Sequence, residues 1–195
     1  LLEAGVIRAA FAAGLLLAGV GEVAAAPEMF QVEPEASSAQ FAVTHFGVFT
    51  QHGRFGGTQG TIVLDAEQRS GSIDLVIDAT SINTGWHARD AWLRGEEMFD
   101  VAHYPVVQFR STKLVFDQAR LTGIAGLLTL HGVTRPIELK VERIECGGET
   151  GKGRDCGAGA VSTIRRSQFG MDYALGLVSD EVELSLQITA RWRPQ

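Results

Sequence analysis

The chain has 195 residues, 45% of them hydrophobic and 21% charged, a composition that fits a single globular domain with a real core. Asp and Glu number 23 against 17 Lys and Arg, for a formal net charge of −6. An acidic chain with no visible basic run lacks the cationic face that a nucleic-acid binder needs.

The first 26 residues read as a signal peptide. Arg8 precedes the apolar run 9–20, which is roughly the length of a signal-peptide core and well short of a membrane span. Ala24, Ala25 and Ala26 then supply the small residues that signal peptidase requires, and Pro27 follows. The competing reading is a buried N-terminal helix. Export is the expectation, with residues 27–195 forming one domain.

From Pro27 onward the pattern is period two. Phe41, Val43 and His45 alternate with Ala42, Thr44 and Phe46, and Ile73, Leu75 and Ile77 alternate with Asp74, Val76 and Asp78. Val107 and Phe109 sit opposite Gln108 and Arg110, and Leu121 to Leu130 repeats the theme. The clearest run places Val182, Leu184, Leu186 and Ile188 against Glu181, Glu183, Ser185 and Gln187. Such alternation predicts antiparallel strands with one solvated face, and their number predicts an all-β sandwich or barrel. The glycines of the Gly56–Gly60 stretch suit a barrel corner or bulge.

Residues 84–95 break this pattern and predict one short helix, with Thr84 as its cap and Gly95 in the left-handed position past its end. Met98–Val101 predict a second short turn packed on the barrel. Within the helix, Arg89 and Asp90 read either as an exposed pair of little energetic weight or as an arginine at the barrel mouth that meets an anionic headgroup. Arg165 and Arg166 are adjacent, so one of them faces inward, where it must be paired or meet an anion.

The two cysteines, Cys146 and Cys156, flank a Gly-rich, charged stretch. In an oxidising compartment this spacing reads as a disulfide across a hairpin loop, and the absence of C-x-x-C or a nearby histidine speaks against zinc. Catalytic patterns are missing. The five histidines form neither H-x-H nor H-E-x-x-H, and no G-x-S-x-G occurs. The residues thus signal neither a metal site nor a catalytic group.

An ordered set of segments carries a family resemblance. It includes Phe41–Gly47, Gly53–Gly57, Ile77–Gly85, Arg89–Asp90, Tyr104–Ser111, Leu121–Gly123, Leu128–Pro136 and Arg166–Gly170. Together, over about residues 30–192, they resemble the YceI-like family of periplasmic polyisoprenoid-binding proteins. The resemblance implies an extended, lipocalin-like antiparallel β-barrel with an apolar tunnel and no enzymatic activity. It implies an isoprenoid lipid or isoprenoid quinone as ligand, with no other cofactor, and a periplasmic location. Two departures stand out: Trp92 occupies a position where such proteins usually carry His, and Gln168 one where Asp is common.

The expected ligand contacts are Phe41, Val43 and His45 on the first long strand, with Arg89 and Trp92 from the helix. Phe109, Leu128, Leu130, Arg166 and Phe169 complete the set. A homodimer and transient contact with a membrane or membrane protein are compatible with this reading. The rival readings are an enzyme acting on such a lipid or on a small stress metabolite, with His45 or His131 as acid–base group, and an accessory protein whose barrel is simply packed.

Overall fold

The computed structural model describes residues 26–148 and 154–193; all but the last residue of the expected signal peptide lies outside the described residues. The alternating segments form antiparallel strands: β1 (Glu28–Val32), β2 (Ser38–His45), β3 (Phe49–Phe55), β4 (Gln59–Asp65) and β5 (Ser70–Asp78), then β6 (Val106–Asp117), β7 (Arg120–Leu130), β8 (Val133–Gly147), β9 (Asp155–Arg165) and β10 (Val178–Arg193). One α-helix, α1 (His87–Leu93), lies between β5 and β6.

The sheet closes through its longest strand. β10 pairs with β9 from Glu181 to Arg191 along one edge. Its other edge is divided, with Val178–Gln187 on β2 and Ala190–Arg193 on β1. β1 also pairs with β4, so β1 and β4 to β10 form a closed eight-stranded ring, which leaves no unpaired edge there. The β2–β3 hairpin extends the wall beyond β1. Paired backbone bonds of 2.9 Å between Arg54 and Asn83 tie β3 to the segment after β5.

Two glycines make room for aromatic rings inside the barrel. A Cβ at Gly53, directly across from Phe41, would overlap the Phe41 ring, and one at Gly126 would overlap Phe109. In each case the missing side chain lets a ring lie flat on the neighbouring strand.

The connection from Ala79 to Pro105 covers one end of the barrel. Phe99 reaches inward from it, with ring centroids 5.2 Å from Phe55 and 6.5 Å from Phe41. Its helix does not begin and end as its sequence suggests. Trp86, not Thr84, holds the N-cap position, and Thr84 instead donates its backbone N–H (2.8 Å) and hydroxyl (2.5 Å) to the Asp90 carboxylate. Gly95 is not left-handed. The helix ends on Arg94 in a right-handed conformation, because the chain continues into further turns whose N–H groups, from Met98 and Asp100, use the Gly95 carbonyl.

The cysteines sit directly opposite one another on β8 and β9 and form a disulfide.

Candidate functional site

The barrel is filled at one end and hollow at the other. At the β1 end Phe30, Val32, Ile73, Ile188 and Ala190 are buried against each other. Towards α1 the same inward parity continues through Leu186, Leu184 and Val182 and across to Phe41 and Val43, but these side chains are only half-buried. Their residual exposure faces a cavity of about 310 Å³ lined by residues of β2, β3, β5 to β10 and the α1 segment. That volume lies at the lower end of the ~300–1,000 Å³ typical of ligand pockets, and a well-packed barrel of this size would have no such void.

The wall is almost wholly apolar. Leu128 and Leu130 of β7, Val107 and Phe109 of β6, and Leu139 of β8 face Val182, Leu184 and Leu186 of β10 across it. Met98 and Phe99 close it from above. Trp92 and Tyr173 line the cavity and are also about half exposed, so the cavity meets solvent beside them. Their rings pack edge-on with centroids 5.1 Å apart.

Polar side chains gather at this opening. Arg89 points back from α1 and uses three of its five N–H donors within the protein: Nε donates to Thr84 Oγ1 (2.8 Å), Nη2 to the Thr84 carbonyl (3.0 Å) and Nη1 to Gln51 Oε1 (2.7 Å). Its guanidinium also lies 5.4 Å from the centre of the Trp86 ring. Asp90, beneath it, is buried. The Thr84 hydroxyl and N–H hold its carboxyl below the usual aspartate range, assisted by Arg94 and Arg89 and opposed by burial. The Arg89–Asp90 sequence is therefore a built corner of the mouth and not an exposed pair. His45 lies on the wall, and its imidazole makes no hydrogen bond to the described residues.

Arg166 is the inward member of the arginine pair, and Arg165 points out towards Glu181 at 3.7 Å. The Arg166 side chain touches the cavity, but its guanidinium is committed to the backbone. It donates to the carbonyls of Met171, Tyr173, Val178 and Ser179 at 2.8–3.0 Å. Burial pulls its pKa down, against the pull of Asp180 and Asp172. Asp180 in turn accepts from the Ser167 N–H and hydroxyl, which lowers its own pKa. This network fixes the 171–179 loop that carries Tyr173.

The structure thus brings Phe41, Val43, His45, Arg89 and Trp92 to one cavity with Phe109, Leu128, Leu130 and Arg166. Phe169 is fully buried and is not part of the wall. Wall residues not singled out from the sequence are of two kinds. Val182, Leu184 and Leu186 were visible in strand parity. Tyr173 and Met98 come from loops with no periodic signal. His131 lies off the cavity, with Nδ1 3.0 Å from the Phe169 carbonyl. Among the described residues no group of three or more His, Cys, Asp or Glu could hold a metal ion.

A larger, open concavity of about 920 Å³ crosses mainly outward-facing side chains from β6 round to β3, among them Lys113, Glu138, Lys140 and Glu183. Of these two, the interior cavity is the candidate site because it combines an apolar wall with convergent polar groups.

A family model described as YceI-like domain matches residues 30–190. A UPF0312 protein of Pseudomonas aeruginosa is 31% identical over 181 residues, 92% of this chain and 94% of that one. Protein YceI of Escherichia coli O157:H7 is 30% identical over 174 residues, 89% and 91% of the two chains. Among solved structures, Burkholderia cenocepacia BcnA superposes with a TM-score of 0.65 at 20% identity, over 81% of this chain and 98% of that one. A polyisoprenoid binding domain from Saccharophagus degradans superposes with a TM-score of 0.61 at 20% identity, over 85% and 98%. At these identities the structural likeness is one of fold.

Proposed function

Starting from the fact that this chain belongs to the YceI-like family, we propose that its barrel holds one long-chain isoprenoid lipid or isoprenoid quinone, as a carrier or sequestering protein and not as an enzyme. The tail occupies the hollow half of the barrel and the headgroup stays at the Arg89 end. The observation that carries this reading is the division of the barrel into a filled end and a hollow, apolar end. Inward strand positions are mostly hydrophobic, yet at the α1 end they leave about 310 Å³ open. An apolar wall of this extent gains free energy when an apolar guest covers it.

The energetics suit a prenyl tail. Each buried methylene contributes roughly 0.8 kcal/mol, so a five-carbon unit contributes several kcal/mol gross, less the cost of ordering the chain. The description of one fold relative as a polyisoprenoid binding domain supports the same ligand class. We place the protein in the periplasm. The Cys146–Cys156 disulfide suits an oxidising compartment, and the first 26 residues have the features of an export signal.

Native mass spectrometry of protein purified from a membrane-containing host, followed by extraction, is the test. The expected result is a bound species whose mass and fragments identify a prenyl chain. Protein that carries nothing, and whose melting temperature no prenyl lipid shifts, would overturn the reading.

A further inference from the structure

Three separate segments raise apolar side chains around the cavity opening. The β2–β3 turn exposes Phe46, Val48 and Phe49, with Val48 at 73%. The loop before β10 exposes Leu175 and Leu177, and α1 with its N-cap adds Trp86 and Trp92. They form one contiguous rim. The Phe46 N–H donates to the Leu177 carbonyl at 2.7 Å, Phe49 pairs with His45 on the cavity wall, and Trp92 packs on Tyr173.

The turn is an unusual place for these residues. Phe46 and Gly47 both adopt positive φ, +53° and +68°, in a tight hairpin turn closed by a 3.0 Å bond from the Val48 N–H to the His45 carbonyl. Asn-Gly is the favoured pair for such a turn, and a bulky aromatic side chain in the left-handed region is an outlier. Backbone strain of this kind persists at functional sites. Here it projects a phenyl ring into solvent, where it contributes nothing to the core.

We propose that this rim docks the protein on the surface of a lipid bilayer, with the Phe46–Phe49 turn and Leu177 entering the acyl region and Trp86 and Trp92 lying at headgroup level. Three observations favour a bilayer over a protein partner. The side chains stand on convex tips of separate segments, which a fluid surface accepts without shape complementarity. Exposed Trp, Phe and Leu side chains together are the residue types enriched where proteins meet a membrane interface. The rim also borders the opening of the apolar cavity, through Trp92 in its wall and Phe49 beside His45, so a prenyl chain would have a short path from bilayer to barrel; this last point rests on the function proposed above.

The test compares the wild-type chain with a Phe46→Asn, Phe49→Thr, Leu177→Gln variant of the same length, so that anything residues 1–25 contribute is common to both. Asn suits the left-handed turn and Thr suits the strand, and Phe46→Asn alone is the reserve should the triple variant not fold. Both proteins are floated with phosphatidylcholine vesicles. Wild type is expected to bind, and the variant to lose at least tenfold in partition coefficient with its melting temperature kept. Trp86 and Trp92 emission should shift to the blue on vesicles and be quenched by brominated lipid. Binding should survive a rise from about 0.1 to about 0.5 M salt, because burial of neutral side chains is not screened. Equal flotation of both proteins, no flotation of wild type, or no quenching overturns the proposal. So does a wild-type dimer in sedimentation that the variant dissolves, since the rim would then cover a second copy. An isoprenoid quinone supplied in detergent separates the two readings: wild type that takes up quinone but does not float refutes docking alone, and wild type that floats but takes up no quinone refutes the cavity reading alone.

Discussion

Arg89 donates from Nη1 to Gln51 Oε1 at 2.7 Å, and this bond ties α1 to β3 across the opening of the cavity. The remaining nitrogens of the guanidinium hold Thr84, so one side chain fixes both the covering segment and the polar edge of the mouth.

Replacing Arg89 with Met should loosen that edge. Stability should fall by about 1–2 kcal/mol from the lost hydrogen bonds, and ligand dissociation should quicken. The loss of affinity should be larger for a prenyl diphosphate than for a neutral quinone, because only the anion forms a charge-assisted bond. Titration of both ligands against wild type and the folded variant checks this, and equal losses would refute a headgroup role.

Tail length should dominate selection. In a quinone series, each added prenyl unit should tighten binding stepwise until the hollow half is full, after which affinity levels off. A Val182→Phe, Leu186→Phe variant should bind at least tenfold more weakly, since its added ring volume occupies the void. Its melting temperature should hold or rise, because filling an existing void avoids the overpacking cost that a dense core imposes. Affinity independent of tail length, measured by fluorescence titration, would sink the model.

The two neighbouring arginines should behave differently. Arg166→Met leaves four carbonyls of the 171–179 loop and the start of β10 without their donor, and should cost on the order of 3 kcal/mol. Arg165→Ala breaks an exposed 3.7 Å pair with Glu181 and a weak attraction to Asp180, and should stay within about 0.5 kcal/mol of wild type. Urea denaturation of the two variants gives the comparison directly.

Asp90 and Asp180 set an acid limit. Both are held below the ordinary aspartate value of 3.8, Asp90 chiefly by the Thr84 hydroxyl and Asp180 chiefly by the Ser167 N–H. Groups depressed in the folded state stabilise it fully above their unfolded pKa, and that contribution disappears as pH falls through the folded values. Stability should therefore be flat in these two groups above about pH 5 and fall below about pH 4. An Asp90→Asn, Asp180→Asn variant should be less stable than wild type at neutral pH but show a shallower acid decline, followed by urea midpoints across that range.

Reduction of the Cys146–Cys156 bond should lower stability by roughly 2–3 kcal/mol, the loop-closure value for so short a loop, without loss of the β-sheet signal in circular dichroism. The pair staples one hairpin, and the strands that close the ring, β1, β4 and β10, do not depend on it.

Much of this protein is written locally. Alternation along residues 41–45 and 182–188 determined which side chains face inward, because strand parity depends only on position along one segment. The disulfide was legible for a similar reason, since its partners end a single hairpin. The helix caps were not, because the Asp90 carboxylate competes for Thr84 from six residues away and the turns after Gly95 take over its carbonyl. Nor could the sequence say that Arg166 holds backbone carbonyls, since those groups carry no residue-specific signal and meet the guanidinium only when the 171–179 loop folds back over it. Whether the barrel is packed or hollow was beyond sequence reading altogether. Void volume is the small difference between the space that strand pairing encloses and the summed volume of the side chains within it. It became defined only when β10 divided one edge between β1 and β2, bringing Phe41, Leu128 and Leu184 from three distant segments to face a common space that none of them fills.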